Sequence, residues 1–452
     1  MTDTSSLPTV TILGAGYVGL TTAALLAHSG YKVYAIEPNP ERLKIIQSGR
    51  SFFFEEGLDV IIKAAQEAGN FIATDSYADS IPHSSVVFSC VGTPDNPDGS
   101  SNLTYVFSAA KEAGKLMNPG TVYVQKSTVP VGTGRKVEEE FKKLNKDISY
   151  ISNPEFLREG TAVYDTLYFD RVVAGGDNTN AVKQVLDVYR DLEEHRDTIA
   201  SLAGVNKNER LGKYISTSLN SAELIKVTAN AFLALKISFA NSIAKLADAV
   251  DADVVEVMDA VGADERIGRA FLNAGRGYGG GCFPKDVSGL IASGLEYGVD
   301  LDIMNAAQQV NASMPGYIIE KLHATLPREL KGSRVAVLGL AFKAGTSDTR
   351  KSPGVSLANT LSRVGAAVTA YDPKANEEAA HDLKRDVRIV QTLEEALESV
   401  DAIVLATEWP DLLQEPDFYT AHTDARIMVD AINRLDKHSY VSAGFQYIGV
   451  GR

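Results

Sequence analysis

The 452-residue chain holds only two cysteines, Cys90 and Cys282, and seven histidines. One disulfide is arithmetically possible, but two thiols cannot build the cross-linked framework of a small secreted scaffold. No histidine stands at a metal-ligand spacing from a cysteine or an aspartate, so no metal site is expected. No Ser-His-Asp pattern stands out either. Positive charge is scarce: 44 Lys and Arg against 58 Asp and Glu leave a net charge of -14. That balance argues against nucleic acid or an anionic membrane as a partner. The segment Met1-Thr-Asp-Thr-Ser-Ser has no leader-like apolar core, and no apolar run approaches membrane length. A cytoplasmic, reducing setting is the expectation. Low-complexity segments are also missing. What remains is an ordinary enzyme composition, 44% hydrophobic and 23% charged, with length for two or three domains.

Against that background the run Gly277-Tyr-Gly-Gly-Gly-Cys282-Phe-Pro-Lys-Asp286 carries most information. Glycines let backbone approach a ligand closely. Pro284 suits the first turn of a helix, which predicts Cys282 just before a helix N-terminus. The partial positive charge there, with Lys285 beside it, favours the thiolate, which is the nucleophilic form. A glycine-rich turn around a structural cysteine is the alternative. Cys90 lies in the apolar run Ser85-Val-Val-Phe-Ser-Cys-Val91 and reads as an inert core residue.

Near the start, Val10-Thr-Ile-Leu13 reads as a strand running into Gly14-Ala-Gly16-Tyr17-Val18-Gly19, followed by a helical stretch from Leu20 to Ser29. A second strand, Tyr31 to Ile36, ends on Glu37. A glycine triplet with a strand before it, a helix after it and an acid at the next strand end is the dinucleotide-binding fingerprint in its required context. The glycines bring backbone N–H groups to a pyrophosphate. Glu37 would accept from the adenosine ribose and repel a 2′-phosphate, so NAD is expected over NADP.

Alternating strand and helix patterns predict an α/β fold: two doubly wound Rossmann-like domains joined by a long central helix and a small helical domain. The expected divisions are residues 1–213, 214–330 and 331–452. In the first, Val86–Val91, Thr121–Gln125 and Ile148–Ser152 each deliver a polar or special-backbone turn, where ligands bind in open α/β sheets. Residues 203–213 read as an exposed polar loop. Ser221 to Val250 lacks Gly and Pro and predicts one helix of about 45 Å at 1.5 Å per residue, with Asn220 and Glu223 as a capping-box start. In the last domain Arg334–Leu338, Ala367–Asp372 and Ala402–Ala406 read as strands, without a full glycine fingerprint.

Among side chains able to do chemistry, Lys226 and Asn230 share one helix face. They fit a pair of oxyanion donors, or else a solvated helix edge. Glu155 and Glu159, in Asn-Pro-Glu-Phe-Leu-Arg-Glu-Gly, fit acid–base work, or else ordinary surface charge.

The motifs GAGYVG (14–19), STVPVG (127–132), NPEFLREG (153–160), ELIKVTANAFLA (223–234), GYGGGCFPKD (277–286), GLAFKAGTSDTR (339–350) and TEWP (407–410) occur in one order. With them the chain resembles the nucleotide-sugar 6-dehydrogenases, from about Val10 to its end, and the cysteine motif is similar to the UDP-glucose branch. The resemblance implies a four-electron oxidation of a primary alcohol to a carboxylate with two NAD, turning UDP-glucose into UDP-glucuronate for polysaccharide precursors. It implies that Cys282 forms a thiohemiacetal and then a thioester. Lys226 and Asn230 would hold the charged oxygen, Glu155 would activate water, and Thr128 and Asp286 would order a water that takes the first proton. On the cofactor side it implies Gly14, Gly16, Tyr17, Val18, Glu37, Arg42, Thr93, Thr128, Glu159, Lys285 and Arg350, with Glu159 between nicotinamide and substrate. On the substrate side it adds Phe156, Leu157, Phe271, Leu272, Asn273, Gly277, Phe342 and Lys343 to Glu155, Lys226, Asn230 and Cys282. Arg266 is similar to the arginine that reaches a neighbouring subunit's substrate, which implies a homodimer or a higher homo-oligomer.

Three departures stand out. Asn273 occupies a position where animal members carry lysine, so phosphate charge must be met elsewhere, with Lys343 as the candidate. The 203–213 loop is long. The family's C-terminal Asp-Gly-Arg run is replaced by Asp430-Ala-Ile-Asn-Arg434. Alternatives to the UDP-glucose reading are GDP-mannose or a UDP-N-acetylhexosamine as substrate, a two-electron hydroxyacid dehydrogenase, which would not need Cys282, and a non-catalytic nucleotide-sugar sensor.

Overall fold

The computed structural model describes residues 7–144 and 146–452. The chain divides into two compact units, one ending at Thr228 and one running from Ala229 to Arg452. The first is built on an eight-stranded sheet of β1 (Val10–Leu13), β2 (Val33–Ile36), β3 (Phe71–Thr74), β4 (Val86–Ser89), β5 (Val122–Gln125), β6 (Ser149–Ser152), β7 (Arg171–Gly175) and β8 (Lys213–Thr217). Its spatial order is β3-β2-β1-β4-β5-β6-β7-β8. Neighbours are parallel except β6 and β7, which meet antiparallel at Ser152 and Gly175. Apolar residues run continuously through the inner strands because helices cover both faces. The pleat sends alternate residues opposite ways: Val86 and Phe88 join one core, Val87 the other.

The second unit holds a six-stranded parallel sheet of β9 (Arg334–Leu338), β10 (Ala367–Tyr371), β11 (Arg388–Ile389), β12 (Ala402–Leu405), β13 (Ile427–Asp430) and β14 (Gln446–Gly449). The order is β11-β10-β9-β12-β13-β14. Here too Val335 and Val337 face one core while Ala336 and Leu338 face the other. Both sheets reverse their winding direction between the first strand and its later neighbour, β1/β4 in one and β9/β12 in the other. That reversal opens a crevice at the strands' carboxyl ends.

The spine helix spans Leu219–Val250, 32 residues, or about 48 Å. It starts two residues before the predicted first residue, and the expected capping box does not form. Glu223 instead sends its carboxylate to the start of helix Thr133–Lys143, accepting from Gly132 N (2.7 Å) and Gly134 N (2.8 Å). By length and composition this helix is also long and apolar enough to cross a membrane, which the sequence reading did not anticipate. Its small residues Ala231, Ala234, Ala240, Ala244 and Ala247 are buried in the protein core, so that face of the helix serves packing.

Residues 203–213 are not simply a loose loop. Helix Thr179–Ala203 stops at Gly204, in the left-handed region. Asn208 then donates to Tyr164 Oη (2.7 Å) and Arg210 pairs with Asp170 before the chain enters β8.

Candidate active site

In the first unit, Gly14-Ala-Gly16 leaves β1, and Gly16, which has no side chain to cap with, stands at the N-terminus of helix Tyr17–His28. Gly19 packs onto the same turn so closely that a Cβ would overlap the Gly14 carbonyl oxygen. A Cβ on Gly16 would have nothing within 4 Å. That open space beside a helix N-terminus suits a pyrophosphate. Tyr17, beside Val18 in the first turn, lays its ring on Phe53 with centroids 3.9 Å apart. Glu37 ends β2, buried, with Oε1 accepting from Asn39 N (2.9 Å). Arg42 follows on helix Pro40–Gln47, its guanidinium 4.7 Å from the Phe52 ring centre. Thr93 lies just beyond β4. These residues flank the β1/β4 crevice, and the cradle fits a dinucleotide.

The turns after β5 and β6 supply further groups. Thr128, half-buried, lies between Ser127, whose Oγ donates to Val91 O (2.6 Å), and the buried Val129. Glu155 and Lys226 are both buried and form an ion pair of 3.1 Å. Lys226 Nζ also stands 5.3 Å from the Phe156 ring centre. Leu157 and Glu159 are half-buried in the same turn.

A supporting network here escaped sequence reasoning. Lys126 Nζ donates to Tyr189 Oη (2.7 Å), which donates to Asn153 Oδ1 (2.6 Å). Asn153 Nδ2 in turn donates to Val173 O (2.7 Å). It fixes the backbone two residues before Glu155. A lysine in the apolar β5 exit was the available signal. Burial pushes the Cys90 thiol up to about 12, although Lys126 draws it back, so this cysteine stays protonated near neutral pH.

In the second unit, Cys282 is exposed and N-caps helix Phe283–Glu296, with Pro284 in its first turn. Asp286, one turn on and buried, donates its N–H to Cys282 O (2.8 Å). Its carboxylate accepts from Asn230 Nδ2 (2.6 Å) and from Lys285 Nζ (2.6 Å). Asn230, Lys285 and Asp286 thus form one network behind the cysteine turn. Gly280 sits at φ +85°, where a Cβ would come within 2.8 Å of the Phe342 ring, and donates its N–H to Arg350 O (2.9 Å). The Arg350 guanidinium lies against Gly281 and is held by Asp348 (Nε to Oδ1 2.9 Å). The glycine run lets these side chains close onto the turn.

A cleft of about 580 Å³ in this unit is lined by Phe271, Leu272, Asn273, Gly277, Phe342 and Lys343, together with Arg269, Arg276, Glu408 and Arg434. Phe271 takes a left-handed backbone conformation, φ 67°. Arg434, from the run that stands where the Asp-Gly-Arg run is expected, also lines this cleft. Arg266 does not belong to its lining. It is solvent-exposed and bonded to Asp264 two residues away.

Comparison with known proteins places these features in context. Residues 8–193 match the NAD binding domain of the UDP-glucose/GDP-mannose dehydrogenase family, 220–313 its central domain and 336–437 its UDP binding domain. A UDP-glucose 6-dehydrogenase of Pseudomonas aeruginosa is 37% identical over 98% of this chain and 97% of its own. Among solved structures, a UDP-glucose dehydrogenase from Pyrobaculum islandicum superposes with a TM-score of 0.88 at 34% identity, covering 100% of this chain and 99% of the other. A UDP-D-ManNAc dehydrogenase from Pyrococcus horikoshii gives 0.84 at 27% identity, covering 98% and 99%.

Proposed function

Since the chain belongs to the UDP-glucose/GDP-mannose dehydrogenase family, an NAD-dependent oxidoreductase family, we propose that it oxidises the C6 alcohol of UDP-glucose to the carboxylate of UDP-glucuronate. The observation that carries this reading is Cys282, exposed at a helix N-terminus beside the network of buried Asn230 and Asp286 with Lys285. Bound NAD supplies a hydride acceptor, used twice. Gly14, Gly16, Tyr17, Val18, Glu37, Arg42, Thr93, Thr128, Glu159, Lys285 and Arg350 are the residues assigned to hold it.

In the first oxidation a water ordered by Thr128 and Asp286 takes the hydroxyl proton. Lys226 and Asn230 hold the oxygen as it becomes anionic, as positioned donors do at developing charge. The aldehyde has no hydroxyl from which to lose a second hydride by the same route. Cys282 thiolate adds to its carbon, and the resulting thiohemiacetal restores an oxidisable C–H beside an oxyanion. Loss of the second hydride leaves a thioester on Cys282. Glu155 draws a proton from water, which attacks the thioester, releases the carboxylate and returns the thiol. The sugar nucleotide is assigned to Phe156, Leu157, Phe271, Leu272, Asn273, Gly277, Phe342 and Lys343, with Glu155, Lys226, Asn230 and Cys282 at the reacting carbon. Arg266 is assigned to a neighbouring subunit's substrate.

An initial-rate panel of UDP-glucose, UDP-N-acetylhexosamines and GDP-mannose with NAD tests the substrate. We expect UDP-glucose to exceed the others in kcat/KM by tenfold or more. A preference for an N-acetylated sugar, which the likeness to the Pyrococcus horikoshii structure favours, would replace this assignment.

We further infer a homodimer through the spine helix. Phe232, Phe239, Leu246 and Val250 recur along it and are all exposed, which is costly unless a partner covers them. Sedimentation equilibrium should give a dimer that Phe239→Glu dissociates. A wild-type monomer would sink the inference.

A further inference from the structure

Arg276 stands in the wall of the 580 Å³ cleft with its side chain only 6% exposed. One nitrogen, Nη2, donates to Phe342 O (2.9 Å) and lies 3.7 Å from Glu408 Oε2. Nε and Nη1 are buried and have no hydrogen-bond partner among the described residues. A guanidinium carries five N–H donors, and leaving buried ones unmade is costly. Burial also works against its charge, which Glu408 and Asp372 support in part. An arginine kept for packing alone would turn its donors to carbonyl oxygens. Two idle charged donors beside a cleft point to an absent acceptor.

The place and the surroundings say which acceptor. Phe342 follows β9 and Glu408 follows β12, the two strands between which the second sheet reverses direction, so the guanidinium occupies the crevice where such sheets bind ligands. The lining carries Arg269, Arg276, Lys343 and Arg434 against Asp259 and Glu408, a cationic surplus suited to phosphate. Asn273, in the same wall, adds no charge and accepts from Arg269 Nη1 (2.8 Å).

We propose that Arg276 is a specificity-determining residue of the nucleotide site, its Nε–H and Nη1–H donating to the phosphate oxygens of a nucleoside diphosphate. This deepens the nucleotide-sugar reading above and rests on it. The cation missing at position 273 is thereby supplied three residues later in the chain, from the same wall of the cleft.

Calorimetric titration of the full-length protein with uridine, UMP and UDP tests the assignment, using wild type, Arg276→Leu and Arg276→Lys. In Arg276→Leu, UDP affinity should fall about 30-fold or more, as loss of two charge-assisted bonds implies. UMP should fall less and uridine should stay within about twofold, the ordering expected of a phosphate contact. Arg276→Lys keeps the charge without the planar fork and should recover part of the loss. Equal weakening of uridine and UDP would place Arg276 on the base or in the fold, and unchanged UDP binding would remove it from the site; either overturns the proposal. NAD titration checks that each variant is folded. Should Arg276→Leu fail that check, Arg276→Lys carries the comparison with the same ordering. Wild-type turnover of UDP-glucose reports separately on the proposed reaction.

Discussion

Lys226 Nζ lies 3.1 Å from Glu155 Oε1, and both side chains are buried. Each keeps the other's charge tolerable away from water, since breaking such a pair leaves an uncompensated buried charge. The pairing joins the lysine proposed as oxyanion donor to the group proposed to activate water. Glu155→Gln should leave both oxidations possible and stall hydrolysis. Stopped-flow absorbance should then show a burst of two NADH per active site before a steady rate at least about 100-fold below wild type, with the acyl group on Cys282 by intact mass. A steady rate near wild type with no adduct would remove Glu155 from this role.

Glu37 offers a test of cofactor choice. Its carboxylate is buried at the end of β2, held by Asn39 N. Desolvated there, it should repel a 2′-phosphate strongly. We expect kcat/KM for NAD to exceed that for NADP by about 100-fold, equivalent to about 3 kcal/mol, and Glu37→Ala to narrow the gap at least tenfold. Equal use of both cofactors by the wild type would displace Glu37 from the ribose.

The main structural surprise is Glu223. The sequence offers it as a local capping residue, yet it reaches the helix that starts after Gly132, 91 residues away. Burial raises its pKa to about 7, against the pull of the Gly132 and Gly134 N–H groups. A carboxyl whose folded pKa lies above its unfolded value binds its proton more tightly when folded. Its contribution to stability is therefore fully present below the unfolded value and is lost as pH rises towards about 7. Melting curves between pH 5 and 8 should show wild type losing stability relative to Glu223→Gln across that window and running parallel to it above. A gap between the two that stays constant across the range would refute the shift.

How far the sequence speaks depends on how local each feature is. The Gly14 turn, Glu37 and the N-cap position of Cys282 are legible because strand, turn and helix signals lie within a few residues of each other. Strands β4, β5, β9 and β12 are legible because burial on both faces makes them continuous apolar runs. By contrast β8, Lys213–Thr217, is an edge strand with no fully buried residue, and its first residue falls in the stretch that reads as a loop. The bond between Asn230 and Asp286 spans 56 residues, and no spacing rule connects them. Arg276 is visible as a charge within a glycine-rich stretch, but its two idle donors emerge only once Phe342 and Glu408 are folded around it.

The central claim is that Cys282 couples two oxidations on one bound sugar. It is tested most directly by the number of NADH formed per UDP-glucose consumed, measured with semicarbazide present to trap any released aldehyde. A covalent thiohemiacetal keeps the intermediate on the protein and leads to a second hydride loss. The expected result is two NADH per UDP-glucose with no semicarbazone. One NADH per UDP-glucose, with the aldehyde trapped, would contradict the account and return Cys282 to a structural place in its glycine turn.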